Sequence, residues 1–216
     1  MSKEEIVLFG GGGHCKSVID TIEQEGKFAV AGIVDMPARL HEKLLGYEVF
    51  ANDDDLPRLA KAYKHFFITI GHVLDSRPRR HLYELLMTHG CRLPVIISPR
   101  AYVSPHASLG QGTLVMPFAF INAGVMIGPN CIVNTSCIIE HDSMIGANNH
   151  ISTACVVNGT CTIGNNNFIG TNATLLNNLT IGNSNLIGAA AVVVKNVGDG
   201  LKLYGNPATV IGKSYD

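Results

Sequence analysis

Every sixth residue from Val103 to Val193 is Ile, Leu or Val, sixteen positions in a row without a break. A six-residue period matches neither the helical repeat nor the two-residue alternation of an ordinary strand. It predicts a parallel β-helix, in which each short strand sends one aliphatic side chain inward and three strands close a coil. Gly follows the aliphatic at positions 110, 128, 146, 164, 170, 182 and 188, where a tight corner favours a residue without a Cβ. Four of the six cysteines, Cys131, Cys137, Cys155 and Cys161, stand four residues after the aliphatic, a slot shared with Ala107, Ala119, Ser143, Ala173 and Ala191. That register makes them small fillers of the wall rather than metal or redox groups, and no C-x-x-C spacing opposes this. A coil buries its interior only against the next, so about five coils must stack to form one core.

The first hundred residues have another rhythm. "IVLFG" (6–10), "AVAGIVD" (29–35), "FFITIG" (66–71) and "LPVIIS" (93–98) are short apolar runs of strand length. Between them, "GGGHCKSVIDTIEQEG" and "DSRPRRHLYELLMTHG" (75–90) read as amphipathic helices, and "NDDDLPRLAKAY" (52–63) as a capped one with acids at its N-terminus. Strands alternating with helices predict a small, parallel, Rossmann-like α/β domain over residues 1–100, ahead of the β-helix over 101–216. Ligands of such sheets bind at the carboxyl ends of the strands, which here are Gly10–His14, Asp35 and Gly71–His72. The glycines do not form a dinucleotide fingerprint. Its third glycine would fall on Cys15 counting from Gly10, or on Lys16 counting from Gly11. A glycine-rich loop opening a helix still offers backbone N–H groups to a phosphate or another anion. Asp35 is placed to hold a ribose hydroxyl or a base edge.

Composition narrows the function classes. Hydrophobic residues make up 46% and charged residues 15%, with a formal net charge of −1, which argues against disorder and against a general nucleic-acid binder. "MSKEEIVLFG" lacks the pattern of a secretion signal, and no run approaches the ~20 apolar residues that span a bilayer. A cytoplasmic protein is expected, so the Asn-x-Ser/Thr triplets at Asn134, Asn158, Asn172 and Asn178 carry no glycosylation meaning.

A small α/β domain bearing "GGGGHCKSVID", followed by uninterrupted hexads with "IIEHD" among them and ending in "YGNPATVIG" (204–212), resembles the bacterial hexapeptide-repeat sugar acetyltransferases. That family includes the sialic acid O-acetyltransferases and the UDP-4-amino-sugar N-acetyltransferases. The resemblance covers nearly the whole chain. It implies a left-handed β-helix, a homotrimer, acetyl-CoA in the groove between neighbouring prisms, and a nucleotide-linked sugar on the N-terminal domain. His141 matches the catalytic histidine and Asp142 the acid that raises its basicity, a place where some members carry Glu. His150, Gly159 and Thr171 match positions that contact acetyl-CoA. Gly12, Gly13, His14, Asp35, Met36 and Gly71 match the nucleotide-sugar pocket, and Asn134 aligns near the reacting end of the sugar.

The chemistry agrees with those roles. Acetyl transfer from a thioester to an amine or hydroxyl requires the nucleophile to lose a proton, and a neutral imidazole titrating near working pH can take it. A neighbouring carboxylate holds one tautomer and stabilises the imidazolium. The thioester oxygen needs a donor as charge develops, which a corner N–H or His150 could supply. A zinc site needs several histidines converging on one ion. The repeats contain only His106, His141 and His150, so no metal is expected within one chain. "RPRR" (77–80), His65, His81 and His89 read as solvated or helix-face residues. Three functions stay open: an N-acetyltransferase acting on a nucleotide-activated amino sugar, an O-acetyltransferase of sialic acid or a related sugar, and a non-catalytic or metal-dependent β-helix.

Overall fold

The computed structural model describes residues 3–214; Met1 and Ser2, the start of the polar N-terminus, lie outside the described residues. The N-terminal domain runs β1 (Glu4–Phe9), α1 (Gly13–Glu25), β2 (Phe28–Val34), β3 (Lys43–Leu44), β4 (Tyr47–Ala51), α2 (Leu56–Ala62), β5 (His65–Ile68) and α3 (Arg77–Thr88). Its sheet order is β3-β4-β2-β1-β5. Four of the strands are parallel, but β3 pairs antiparallel with β4. The parallel sheet expected from the sequence thus carries an antiparallel hairpin at its edge. β1 is apolar throughout its second half because both of its faces are covered. Ile6 and Leu8 pack with Val18, Ile19 and Ile22 of α1, whereas Val7 and Phe9 pack with Leu59, Leu82 and Leu86 on the other side.

The β-helix comprises seventeen two-residue strands at six-residue spacing, from β6 (Ile96–Ile97) to β22 (Val192–Val193). Successive strands join three parallel sheets in turn, called here faces I, II and III. β6 belongs to face I, so "LPVIIS" supplies the first rung of the prism. It pairs with Leu114–Val115 of the next coil. β23 (Leu201–Tyr204) and β24 (Thr209–Lys213) extend face I as an antiparallel pair at the far end. The sixth-residue aliphatics and the four repeat cysteines fill the interior and are buried, except Val103 and Leu109 in the first coil, which are partly buried. Ile151 has no exposed surface, and Ile151→Ala should cost about 2–5 kcal/mol of stability by leaving a cavity between coils. A urea titration reads it.

The corners explain the asparagines. From Phe118 to Ala190 every sixth residue has positive φ, twelve of them not glycine. Left-handed backbone is costly for most L-residues and least so for Asn and Asp, and Asn takes five of these slots, at 130, 148, 166, 172 and 178. Inside the III–I corner, Asn149, Asn167 and Asn185 form a buried ladder. Each side-chain oxygen accepts the backbone N–H of the corresponding residue one coil on, at 2.8 Å.

The N-terminal domain docks on face I, where Leu114, Met116 and Ile132 continue the core of α1. Arg79 pins the junction. The sequence placed it in a solvated helix start; the structure buries it completely. Its guanidinium donates to the carbonyls of Ile68 at 2.8 Å and Ile70 at 2.7 Å, with longer contacts to the carbonyls of Asn130 and Gly112 in the prism. His65 is likewise corrected, from a helix face to the first residue of β5, with its ring against Phe28.

Candidate active site

His141 and Asp142 sit at the corner between faces II and III, joining the strands Ile138–Ile139 and Met144–Ile145. Asp142 occupies a left-handed slot, φ 59°, which its short polar side chain tolerates. The His141 carbonyl accepts from the N–H of Thr160 one coil on, and the Asp142 N–H donates to Ala123 one coil back. His141 Nδ1 lies 2.9 Å from Asp142 Oδ2, with both side chains more than half exposed. A carboxylate accepts at Nδ1, which leaves Nε2 with a free lone pair. Two glycines make room for the pair. A Cβ at Gly124 would collide with the Asp142 carboxylate, and one at Gly159 would stand 2.7 Å from His141 Nε2. Gly159→Ala should therefore push the imidazole aside and lower kcat roughly 10- to 100-fold in an intact fold. Steady-state kinetics beside a thermal melt would separate those effects.

A second group gathers where face I meets the N-terminal domain. His150, on the strand His150–Ile151, is buried at 8% exposure. Its Nδ1 meets the His72 carbonyl at 2.7 Å, and its Nε2 meets Asn134 Nδ2 at 3.2 Å. Asn134 must be the donor there, so His150 carries its proton on Nδ1. The rings of His14 and His72 lie 6.5 and 5.5 Å from that of His150, Gly71 lies against the His14 ring, and His14 Nε2 has no hydrogen-bond partner. Burial, with the nearby Arg79 charge, lowers His14 and His150 to about 4 and His72, also beside His150, to about 3. Such histidines stay neutral when folded but protonate when unfolded. Stability should thus be full above pH ~6.5 and fall as the pH drops towards 4, by about 1.4 kcal/mol per uncoupled histidine at pH 5.5. Melting temperatures across that range check this, with a shallower decline in His72→Gln.

The third group lines the carboxyl ends of the sheet. Gly12 caps α1 without a side-chain bond, the first helical turn holds no acid, and a Cβ at Gly12 or Gly13 would meet open space. The helix thus presents unfilled N–H donors to the loop. Asp35 binds the Gly11 N–H at 2.7 Å and Arg39 at 2.6 Å through Oδ2, and the Met36 N–H at 2.8 Å through Oδ1. Arg39 also donates to the Gly11 carbonyl. Beside them lies a cleft of about 440 Å3, lined by residues including Phe9, Asp35, Met36, Asp53, Ile70 and His81.

The residues singled out in the sequence thus fall into separate groups. His141, Asp142 and Gly159 share the II–III corner. His14, Gly71, Asn134 and His150 share the domain junction. Asp35 and Met36 border the cleft, next to Gly12 and Gly13. Thr171 lies at the I–II corner, its hydroxyl 3.1 Å from that of Ser152. In a triangular coil the II–III corner is the vertex opposite face I, so one chain holds the imidazole and the glycine loop on opposite sides of the prism. Sequence reasoning missed Arg39, Asp53 and Arg79. Only the distance from Asp35 to Arg39, one helical turn, carried a signal. Among the described residues no group of three or more His, Cys, Asp or Glu side chains could hold a metal ion, and no helix is long and apolar enough to cross a membrane.

Comparison with known proteins places this architecture. Residues 5–86 match the PglD N-terminal domain. No curated protein sequence matches the chain. Among solved structures, a histidine-to-asparagine variant of the perosamine N-acetyltransferase of Caulobacter crescentus, in complex with CoA and GDP-perosamine, is 35% identical. The match covers 98% of this chain and 99% of that one, with a TM-score of 0.92. The acetyltransferase domain of PglB from Neisseria gonorrhoeae, in complex with acetyl coenzyme A, is 32% identical over 97% of this chain and 100% of that one, with a TM-score of 0.89. WeeI from Acinetobacter baumannii, 23% identical with a TM-score of 0.68 over 97% of this chain and 100% of that one, shares the fold. The chain belongs to the family of hexapeptide-repeat sugar N-acetyltransferases that carry a PglD-type N-terminal domain.

Proposed function

We propose that the chain transfers the acetyl group of acetyl-CoA to the amino group of a nucleotide-linked amino sugar, in the cytoplasm, for bacterial glycan biosynthesis. The observation that carries this is the His141–Asp142 pair, held between two glycines, with Nε2 facing Gly159 and without a hydrogen-bond partner among the described residues. The amine nitrogen attacks the thioester carbonyl while Nε2 takes its proton, the C–S bond breaks, and the proton passes to the departing thiolate. Asp142 offsets the positive charge on the ring during that interval. The loop Gly12, Gly13 and His14, with Gly71 beside His14 and the α1 N-terminus, receives the diphosphate, and Asp35 and Met36 frame the nucleoside.

Because the imidazole and the glycine loop face opposite ways, a second chain completes the site. Tyr102 and Phe120, stacked at 4.9 Å on face II, together with Phe118, Met126 and Met144, form an exposed apolar surface reaching onto face III, of the kind that marks an interface. In the trimer proposed here, the II–III corner of one copy, with Gly159, meets the Asn134, His150 and Thr171 side of the next, and acetyl-CoA lies in the groove between them. The test is thiol release from acetyl-CoA with GDP-, UDP- and dTDP-linked 4-amino sugars and with hydroxyl acceptors such as sialic acid. Turnover with an amino sugar is expected; turnover with hydroxyl acceptors alone contradicts N-acetylation.

A further inference from the structure

The cleft at the ends of β1 and β2 is an apolar slot, walled by Phe9, Val34, Ile70, Leu82 and Leu85, with few polar groups: Asp35, Asp53 and His81. Those groups are not equally available. Both oxygens of Asp35 are occupied by Gly11, Met36 and Arg39, so it shapes the loop and has little capacity left for a ligand. Asp53 opens the single 3-10 turn Asp53–Asp55 before α2. The cap of that turn is built by Asn52, the Asp54 N–H and the Asp55 carboxylate, and it leaves the Asp53 side chain out. Asp53 has no hydrogen bond or ion pair among the described residues, and Arg39, the nearby cation, is held by Asp35 and Glu42. Asp53 is an exposed residue of the cleft lining; desolvation by the surrounding protein, then the charges of Asp35 and Asp54, raise its pKa.

An apolar slot with one uncommitted carboxylate suits an aromatic ring that presents donors side by side. We propose that the cleft seats a guanine base and that Asp53 reads it, making the substrate a GDP-linked sugar. This rests on the nucleotide-sugar reading above and deepens it. Guanine offers N1–H and the N2 amino group along one edge, a match for the two oxygens of a carboxylate. Uracil and thymine offer a single N–H between two carbonyl oxygens, which a carboxylate repels. Adenine and cytosine set an acceptor nitrogen beside their amino group. Asn at position 53 reverses the preference, since an amide presents one acceptor and one donor, the complement of the uracil edge.

Calorimetric titration of the full chain with GDP, UDP, dTDP and ADP tests this, with Asp53→Asn and the neighbouring Asp54→Asn as variants, Asp54 standing outside the cleft lining. Wild-type protein should bind GDP at least tenfold more tightly than UDP. Asp53→Asn should weaken GDP roughly 10- to 100-fold, the worth of a lost charge-assisted pair, and narrow or invert the GDP/UDP ratio. Asp54→Asn should keep that ratio. Equal or tighter binding of UDP by wild type, or an Asp53→Asn ratio unchanged from wild type, overturns the base assignment while the nucleotide-sugar reading stands. Binding of none of the four nucleotides, with acetyl-CoA still bound, overturns both.

Discussion

His141→Ala should lower the rate of acetyl transfer about 10²–10⁴-fold, the range that one positioned general base supplies, and leave the fold untouched. The side chain is more than half exposed and contributes nothing to the prism interior, so circular dichroism and the melting temperature should stay at wild-type values. Binding of acetyl-CoA should persist, since the proposed role of the imidazole is to take the acceptor's proton. The loss therefore belongs in kcat, and thiol release under saturating substrates reads it. Asp142→Asn is the informative companion. Asn accepts the left-handed backbone of that corner and keeps an acceptor for Nδ1, but it removes the charge that stabilises the imidazolium. A loss of about tenfold or more, smaller than that of His141→Ala, is expected. An Asp142→Asn variant as slow as His141→Ala would mean that the carboxylate does more than orient and stabilise.

Arg79→Met should have the largest effect on stability. The substitution roughly keeps the volume of the side chain but removes the guanidinium donors to the carbonyls of Ile68, the last residue of β5, and Ile70, two residues on. Buried acceptors left without partners cost about 1–3 kcal/mol each. Two close bonds and two longer ones then amount to about 3–5 kcal/mol, or a fall in melting temperature on the order of 10 °C for a chain of this size. Burial already presses the guanidinium down to about 10, so Lys, more easily neutralised and with fewer donors, should rescue poorly. A melting temperature within 2 °C or so of wild type would show that water replaces the guanidinium at the junction.

The β-helix could be read from the sequence because its side-chain period is fixed by the coil: one aliphatic inward every six residues, with no tolerance for slippage. The same register places Cys131, Cys137, Cys155 and Cys161 inside. The N-terminal sheet was less legible. Its edge hairpin turns at Leu45 and Gly46, both with positive φ, as a two-residue hairpin requires. Leu in the first place hides that turn from anyone reading for Asn-Gly or Asp-Gly. The burial of Arg79 and of His150 is hidden in the sequence for a common reason. Each looks exposed within its own element, on a helix start or an outward strand position, and becomes buried only because the two domains meet. Hydrophobic periodicity carries no information about that contact. The stacking of His141 on Gly159 was legible in principle, since residues eighteen apart are neighbours in successive coils and one of the two is glycine.

The most direct measurement is a structure of the wild-type protein with CoA and its amino-sugar nucleotide. The account predicts the sugar nitrogen about 3 Å from His141 Nε2, within general-base reach, with the nucleotide held by the glycine loop of a neighbouring copy. A sugar nitrogen remote from every His141 in the assembly, or an acceptor seated wholly within one chain, would contradict it.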